Sequence, residues 1–326
     1  MEKNWIIAEP APKDWQAKFT DVPEIVRQLL WNRGIRERED VERFLHPEYE
    51  KDLHDPFLFR DMAKVAERVF DAIAKKEKIF VYGDYDADGV TGSVIIKSTL
   101  DALGADTGVY MPHREKEGYG LNKGAVDYMA RHGAKVIITN DCGISNADEA
   151  QYAKGQGVEV IITDHHRIPE RVPNAYAILH PLLPGEQYPN KFLTGGGVAF
   201  KLAQALIKQC SMLHAPCSIP EGWEKWLLDL VAISTVADVG KIVGENRTLV
   251  KYGLIVLNKT RRIGLQKLFE AARIKPGALT TWNIGWQIAP RINAAGRMDH
   301  ANTAFALLAA DNEGEAQRRL DRKSVV

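Results

Sequence analysis

The chain has 326 residues, 45% apolar and 26% charged, with 43 basic and 43 acidic side chains and so no formal net charge. That length allows one large domain or two ordinary ones, and the composition is globular, not disordered or fibrous. Zero net charge excludes nucleic-acid binding through a globally positive surface; such a ligand would need a local basic groove or metal ions. Cys142, Cys210 and Cys217 form no CxxC pair and no metal-type spacing, which points to reduced thiols and a cytoplasmic location. The charged start Met1-Glu2-Lys3-Asn4-Trp5 lacks the apolar core of a signal peptide. No apolar run approaches the length of a membrane span, so no membrane partner is expected.

From the N-terminus, residues 1–55 read as short helices broken by prolines, with helical spacing over 22–33 and 37–44. Residues 61–75 predict an amphipathic helix with Met62, Val65, Ala66, Val69, Phe70 and Ile73 on one face. Strands and helices then alternate. Strand-like runs at 78–82, 107–111, 135–139, 158–163 and 176–179 frame helical segments near 90–103, 123–132 and 146–156. This rhythm predicts an α/β fold, a mostly parallel five-stranded sheet flanked by helices on both faces. Gly195-Gly196-Gly197 opens a helix to about residue 208. A loop with Pro216, Pro220 and Gly222 follows and reads as an insertion. Residues 223–237 predict a strongly apolar helix ending at Asp238. The remainder is mainly helical, with turn signals at Pro276-Gly277 and Ala289-Pro290.

Three of the strand-like runs end in ionisable groups. Asp84, Asp86 and Asp88 follow the first, Asp141 the third, and Asp164-His165-His166 the fourth. In α/β proteins chemistry sits at the carboxyl ends of parallel strands. Three aspartates within five residues repel one another unless a cation neutralises them. A capping, turn-forming role suits one of them. Asp84-x-Asp86-x-Asp88-Gly89 also matches the opening of an EF-hand loop, but Ile95 stands where the bidentate Glu is required and a strand, not a helix, precedes it. Taken alone, Asp141 reads as a helix cap and gains weight only from its neighbouring strand end. Cys142 reads as a small buried side chain. One of His165 and His166 can bind metal while the other faces substrate, with Asp164 orienting an imidazole. An acid at Asp238 opposes the macrodipole of the helix it ends, which invites a cation; a solvated helix end accounts for it equally well.

With these motifs in order, the chain resembles the DHH phosphoesterase superfamily, and within it the RecJ-like 5′→3′ single-stranded-DNA-specific exonucleases. The resemblance rests on Val81-Tyr82-Gly83-Asp84-Tyr85-Asp86-Ala87-Asp88-Gly89, Asp141, Asp164-His165-His166 and Asp238. It also rests on Leu30-Trp31-Asn32-Arg33-Gly34-Ile35, Phe44-Leu45-His46-Pro47, Pro112-His113-Arg114, Glu117-Gly118-Tyr119-Gly120-Leu121 and the stretch from Ala289-Pro290-Arg291 to Gly296-Arg297-Met298. It implies a hydrolase using two divalent cations, Mn²⁺ by preference and Mg²⁺ as an alternative. Asp86, Asp88, Asp141, His165 and Asp238 would be ligands, with Asp141 bridging and Asp84 a supporting carboxylate. His166 would lie near the scissile phosphate, Arg114 and Arg291 would contact phosphates, and Asn293 and Arg297 would shape the same wall. The implied partners are single-stranded DNA and proteins of repair and recombination complexes.

The resemblance further implies an N-terminal helical extension (1–55), a DHH catalytic domain (56–275) and the start of a connecting helix (276–326). Members of this branch continue into a DHH-associated domain and an OB-fold, so the chain is expected to be the catalytic half. Two other readings share the motifs: a DHH phosphodiesterase of short oligonucleotides or cyclic dinucleotides, and a non-catalytic scaffold of the same fold.

Overall fold

A computed structural model describes residues 6–212, 219–298 and 300–320. Its centre is one five-stranded sheet: β1 (Lys78–Gly83), β2 (Thr107–Tyr110), β3 (Ala134–Asn140), β4 (Glu159–Thr163) and β5 (Ala177–Leu179). The spatial order is β2-β1-β3-β4-β5. Every pairing is parallel, so the sheet is more uniform than the "mostly parallel" expectation. Parallel strands need helical crossovers, which cover both faces and leave strands apolar on both sides. The alternation is plain. Ile79, Val81, Val136, Ile138, Ile161 and Leu179 enter one apolar layer. Phe80, Tyr82, Ile137, Val160, Ile162 and Ile178 enter the other.

The first layer packs against four helices: α1 (Met62–Lys75), α2 (Ala87–Ala102), α5 (Gly195–Met212) and α6 (Leu228–Ala237). The second packs against α3 (Lys123–Arg131) and contributes Ala153 from α4 (Ala147–Gly155). Helix α7 (Gly244–Leu257) lies against α6, and α8 (Ala289–Met298) follows near the C-terminal end. Trp15, Phe19, Leu30 and Val41 form a small apolar cluster within the N-terminal helices.

Three local expectations change. Helix α2 starts at Ala87, three residues before the anticipated 90, because the Asp86 side chain caps it and accepts from Asp88 N (2.9 Å) and Gly89 N (3.0 Å). Ala289-Pro290 is not a turn. Residues Ile284–Ile288 form a π-helical stretch that runs straight into α8. A widened turn just before Pro290 tolerates its missing N–H and its ring. Finally, Cys142 is a free buried thiol, whereas Cys210 is disulfide-bonded, so the reading of all three cysteines as reduced does not hold there. Part of the expected insertion, residues 213–218, lies outside the described residues. Among the described residues no helix is long and apolar enough to cross a membrane.

Candidate metal centre

The strand register builds the site. Gly83 pairs with Asn140, Asn140 with Thr163, and Thr163 with Leu179. The next residues along the chain are Asp84, Asp141, Asp164 and His180. Four ionisable side chains therefore leave the sheet in one row. The order 2-1-3-4-5 puts the topological switch point between β1 and β3, where crossovers diverge to opposite sides and leave a crevice. Asp84 and Asp141 flank that crevice.

Asp141 occupies the left-handed region with φ of 63°, a strained backbone for a non-glycine residue of the kind that persists at functional sites. Its carboxylate Oδ1 lies 3.0 Å from His165 Nε2. The same nitrogen is 3.4 Å from Asp88 Oδ2 and 3.8 Å from Asp238 Oδ2. One imidazole nitrogen thus stands among three carboxylates from three different elements.

Three sets have ligand atoms mutually within 4.8 Å: Asp88, His165 and Asp238; Asp84, Asp86 and Asp141; and Asp141, His165 and His166. Asp84 therefore stands in a ligand set with Asp86 and Asp141, a closer position than the supporting role read from the motif. Its Oδ1 is buried and has no hydrogen-bond partner. Burial first, then Asp86, raises the Asp84 pKa to about 7. Burial and then Asp88 push Asp141 well above the ordinary carboxylate range. Asp238 is raised to about 6, again by burial and then Asp88. These carboxylates cannot all ionise together without a counter-charge. Oxygen donors with one or two imidazoles and no thiolate suit Mn²⁺ or Mg²⁺. The orphaned oxygen, the mutual repulsion and the donor set together fit a divalent-metal site.

Supporting contacts hold the donors in place. Asp88 accepts from Gly195 N (2.8 Å), Gly196 N (2.7 Å) and Ser234 Oγ (2.5 Å). The N-terminus of α5 thus steadies one carboxylate. A Cβ on Gly195 would come within 2.7 Å of the Asp141 side chain, so the approach of α5 to β3 requires glycine there. Asp164 is fully buried and accepts from Ile144 N, His165 N and His166 N. His166 Nδ1 lies 2.8 Å from Asp164 Oδ1. Burial opposes ionisation of Asp164, but these bonds prevail and lower its pKa. The reciprocal bond raises that of His166. Such a carboxylate–imidazole pair fixes ring orientation and tautomer. Tyr119 Oη also approaches His166 Nδ1 (3.1 Å) and donates to the Asp141 carbonyl (3.2 Å).

The remaining anticipated residues are spread more widely. Arg114 stacks over the Tyr85 ring at 4.7 Å and is close enough to pull the Asp84 pKa down slightly. Asn293, on α8, accepts from Ala87 N at 2.6 Å and so braces the acidic loop. Arg291 bonds back to Gln287 O on its own helix (2.8 Å), with a buried Nε that has no partner. Arg297 is exposed on the last turn of α8.

Gly195, Gly196, Ser234, Tyr119 and His180 were not anticipated as site residues. His180 follows β5 in the same row and approaches the His166 carbonyl through Nε2 (2.9 Å). Burial lowers its pKa to about 4, so it stays neutral. Its position after a strand was a legible signal. Ser234, inside an apolar helix, offered none.

A parallel sheet with order 2-1-3-4-5 and acids with imidazoles at its switch point defines a doubly wound α/β domain with a candidate divalent-metal centre. Residues 78–235 match the model described as the DHH family, N-terminal domain. Along most of its length the chain is similar to RecJ proteins. It is 41% identical over 296 residues to the single-stranded-DNA-specific exonuclease RecJ of Bacillus subtilis, covering 91% of this chain and 36% of that relative. The crystal structure of an exonuclease RecJ bound to manganese superposes with a TM-score of 0.70 at 37% identity, over 81% of this chain and 64% of that one. RecJ of Thermus thermophilus in complex with Mn²⁺ gives 0.76 at 32% identity, over 95% and 43%. The chain spans little more than a third of the length of the Bacillus relative.

Proposed function

We propose that this chain is the catalytic core of a RecJ-like hydrolase that degrades single-stranded DNA from the 5′ end, releases 5′-mononucleotides, and works with repair and recombination proteins in the cytoplasm. The observation that carries this reading is the meeting of Asp88, Asp141 and Asp238 at one nitrogen of His165. In this reading Asp88, His165 and Asp238 would hold one divalent cation and Asp84, Asp86 and Asp141 a second. Mn²⁺ is preferred and Mg²⁺ is an alternative. Two such cations supply an activated water and neutralise the charge that builds on the phosphate.

The chain's own residues do the rest. Asp164 holds His166 Nδ1 and leaves Nε2 free to face the scissile phosphate. Arg114 offers a planar cation for bidentate phosphate contact. The strained Asp141 backbone, the α5 N-terminus and Ser234 keep the carboxylates in place, so little reorganisation is needed when substrate arrives.

The test is a length series of 5′-phosphorylated single strands with Mn²⁺, beside the corresponding duplexes. Progressive release of mononucleotides from the 5′ end of long single strands is expected. Activity confined to dimers and trimers would move the chain to the small-substrate reading, and no hydrolysis with no bound metal would move it to the scaffold reading.

A further inference from the structure

Next to the metal centre lies a surface that none of the catalytic groups uses. Trp282 and Trp286 sit one turn apart in the segment made of Thr281–Asn283 and the π-helical Ile284–Ile288. They are 58% and 71% exposed. Neighbouring indoles left in water on one helical turn are costly unless something covers them. π-Helical turns also cluster at functional sites. The segment packs against the end of α6: a Cβ on Gly285 would lie 4.0 Å from Val236 Cγ1, two residues before Asp238.

Thr281, adjoining Trp282, lines a cavity of about 380 Å³ shared with Arg33, Arg247 and Lys251. Among the described residues no carboxylate lines it. Their hydrogen bonds go to backbone oxygens, Arg33 donating to Leu29 O, Arg247 to Phe44 O and Lys251 to Pro47 O, while Arg247 also lies over the Phe44 ring and Lys251 over the Tyr252 ring. Burial, and then the charge of Arg33, lowers the pKa of Arg247. Three cations with spare donors and no anion describe a site built for one. Ile242 also lines the cavity. It is four residues beyond Asp238, and four extended residues reach at most about 14 Å.

We propose that single-stranded nucleic acid leaves the metal centre over Trp286 and Trp282 and enters the Arg33–Arg247–Lys251 pocket, its bases stacked on the indoles and a backbone phosphate held by the cations. This deepens the proposed function and rests on it for the direction of the strand. Stacking platforms beside a basic groove are how single strands are held without sequence preference. The pocket supplies the local positive charge that a chain of zero net charge needs.

Binding can be read apart from hydrolysis, with the whole chain in EDTA and a labelled oligothymidylate of about 15 nucleotides, within the span such platforms cover. Fluorescence anisotropy should show affinity falling about 10-fold in Trp286→Ala and again in Trp282→Ala. Arg247→Ala should flatten the log–log salt dependence by about 0.7, the loss of one phosphate contact. Arg247→Lys should restore part of the affinity, Lys154→Ala should change nothing, and circular dichroism should show all variants folded. Unchanged oligonucleotide affinity in the tryptophan and Arg247 variants overturns the proposal, whether a poly-glutamate peptide or a second copy of the chain is found on this face instead. Equal occupancy of the pocket by thymidine monophosphate or inorganic phosphate, with no gain from chain length, overturns it too. A variant-sensitive binding result with no hydrolysis in Mn²⁺ would leave the track standing and sink the proposed function alone.

Discussion

The Lys201–Glu245 pair and the carboxylates around His165 are both buried charge, and they are built in opposite ways. Lys201 Nζ meets Glu245 Oε1 at 2.6 Å with both side chains fully buried. Lys201 also donates to His54 O and Gln204 Oε1. Glu245 accepts from His54 N, Tyr188 Oη and Asn190 Nδ2. One plus meets one minus, and the hydrogen bonds tie residue 54 to α5 and α7. At the other cluster the six carboxylates of Asp84, Asp86, Asp88, Asp141, Asp164 and Asp238 gather around His165 and His166, with Arg114 acting on Asp84 from farther off. Balanced buried charge holds elements together, while unbalanced buried charge marks the place where something must bind.

Removing one charge from each cluster breaks the comparison open. Asp141→Asn, which removes the charge but tolerates the left-handed backbone, should cost Mn²⁺-dependent hydrolysis of single-stranded DNA on the order of 10³-fold, the scale of losing a preorganised electrostatic group. The same change should leave metal-free thermal stability equal or higher, since it relieves repulsion. A variant that kept full activity, or that unfolded without metal, would contradict this.

Glu245→Gln should do the reverse. It strands a buried ammonium, so urea unfolding should show a loss of about 3 kcal/mol. Lys201→Met with Glu245→Gln together should recover much of it, because an uncharged pair needs no compensation. If the single variant is as stable as the parent, the pair is not cohesive.

The smallest effect is a difference of sign with pH. In metal-free protein the Asp84 pKa is raised from 3.8 to about 7, chiefly by burial. The folded state then keeps a proton that the unfolded chain releases, so stability falls as pH rises through that window. His54, beside the balanced pair, has its pKa lowered from 6.5, chiefly by burial. There the unfolded chain takes up the proton first, so stability is lost as pH falls below 6.5. Asp84→Asn should flatten the fall between pH 4 and 7 in EDTA, and saturating Mn²⁺ should abolish it in the parent. Parallel stability profiles for Asp84→Asn and parent in EDTA would refute the assignment.

Much of the fold was legible because its signals are local. Strands β3 and β4 announced themselves as β-branched runs and β1 as a mixed β-branched and aromatic one, and Asp84, Asp141 and Asp164 stood one residue past strand ends. Asp86 capping α2 lies within three residues of the amides it binds. The π-helical turn before Pro290 was not legible, since nothing in Ile284-Gly285-Trp286-Gln287-Ile288 separates it from an ordinary helix. Nor was the buried pair, because Lys201 and Glu245 are 44 positions apart and each reads alone as a surface charge.

By itself the sequence determined the strands, their apolar faces and the acids at their ends, since these depend on side-chain period and near neighbours. Only the tertiary structure decided which acids meet. Asp88 reaches Gly195, Gly196 and Ser234 across 107, 108 and 146 positions. Asp238 reaches His165 from another helix altogether. Those encounters depend on strand order and on how closely α5 and α6 can approach the sheet, and no local pattern encodes either.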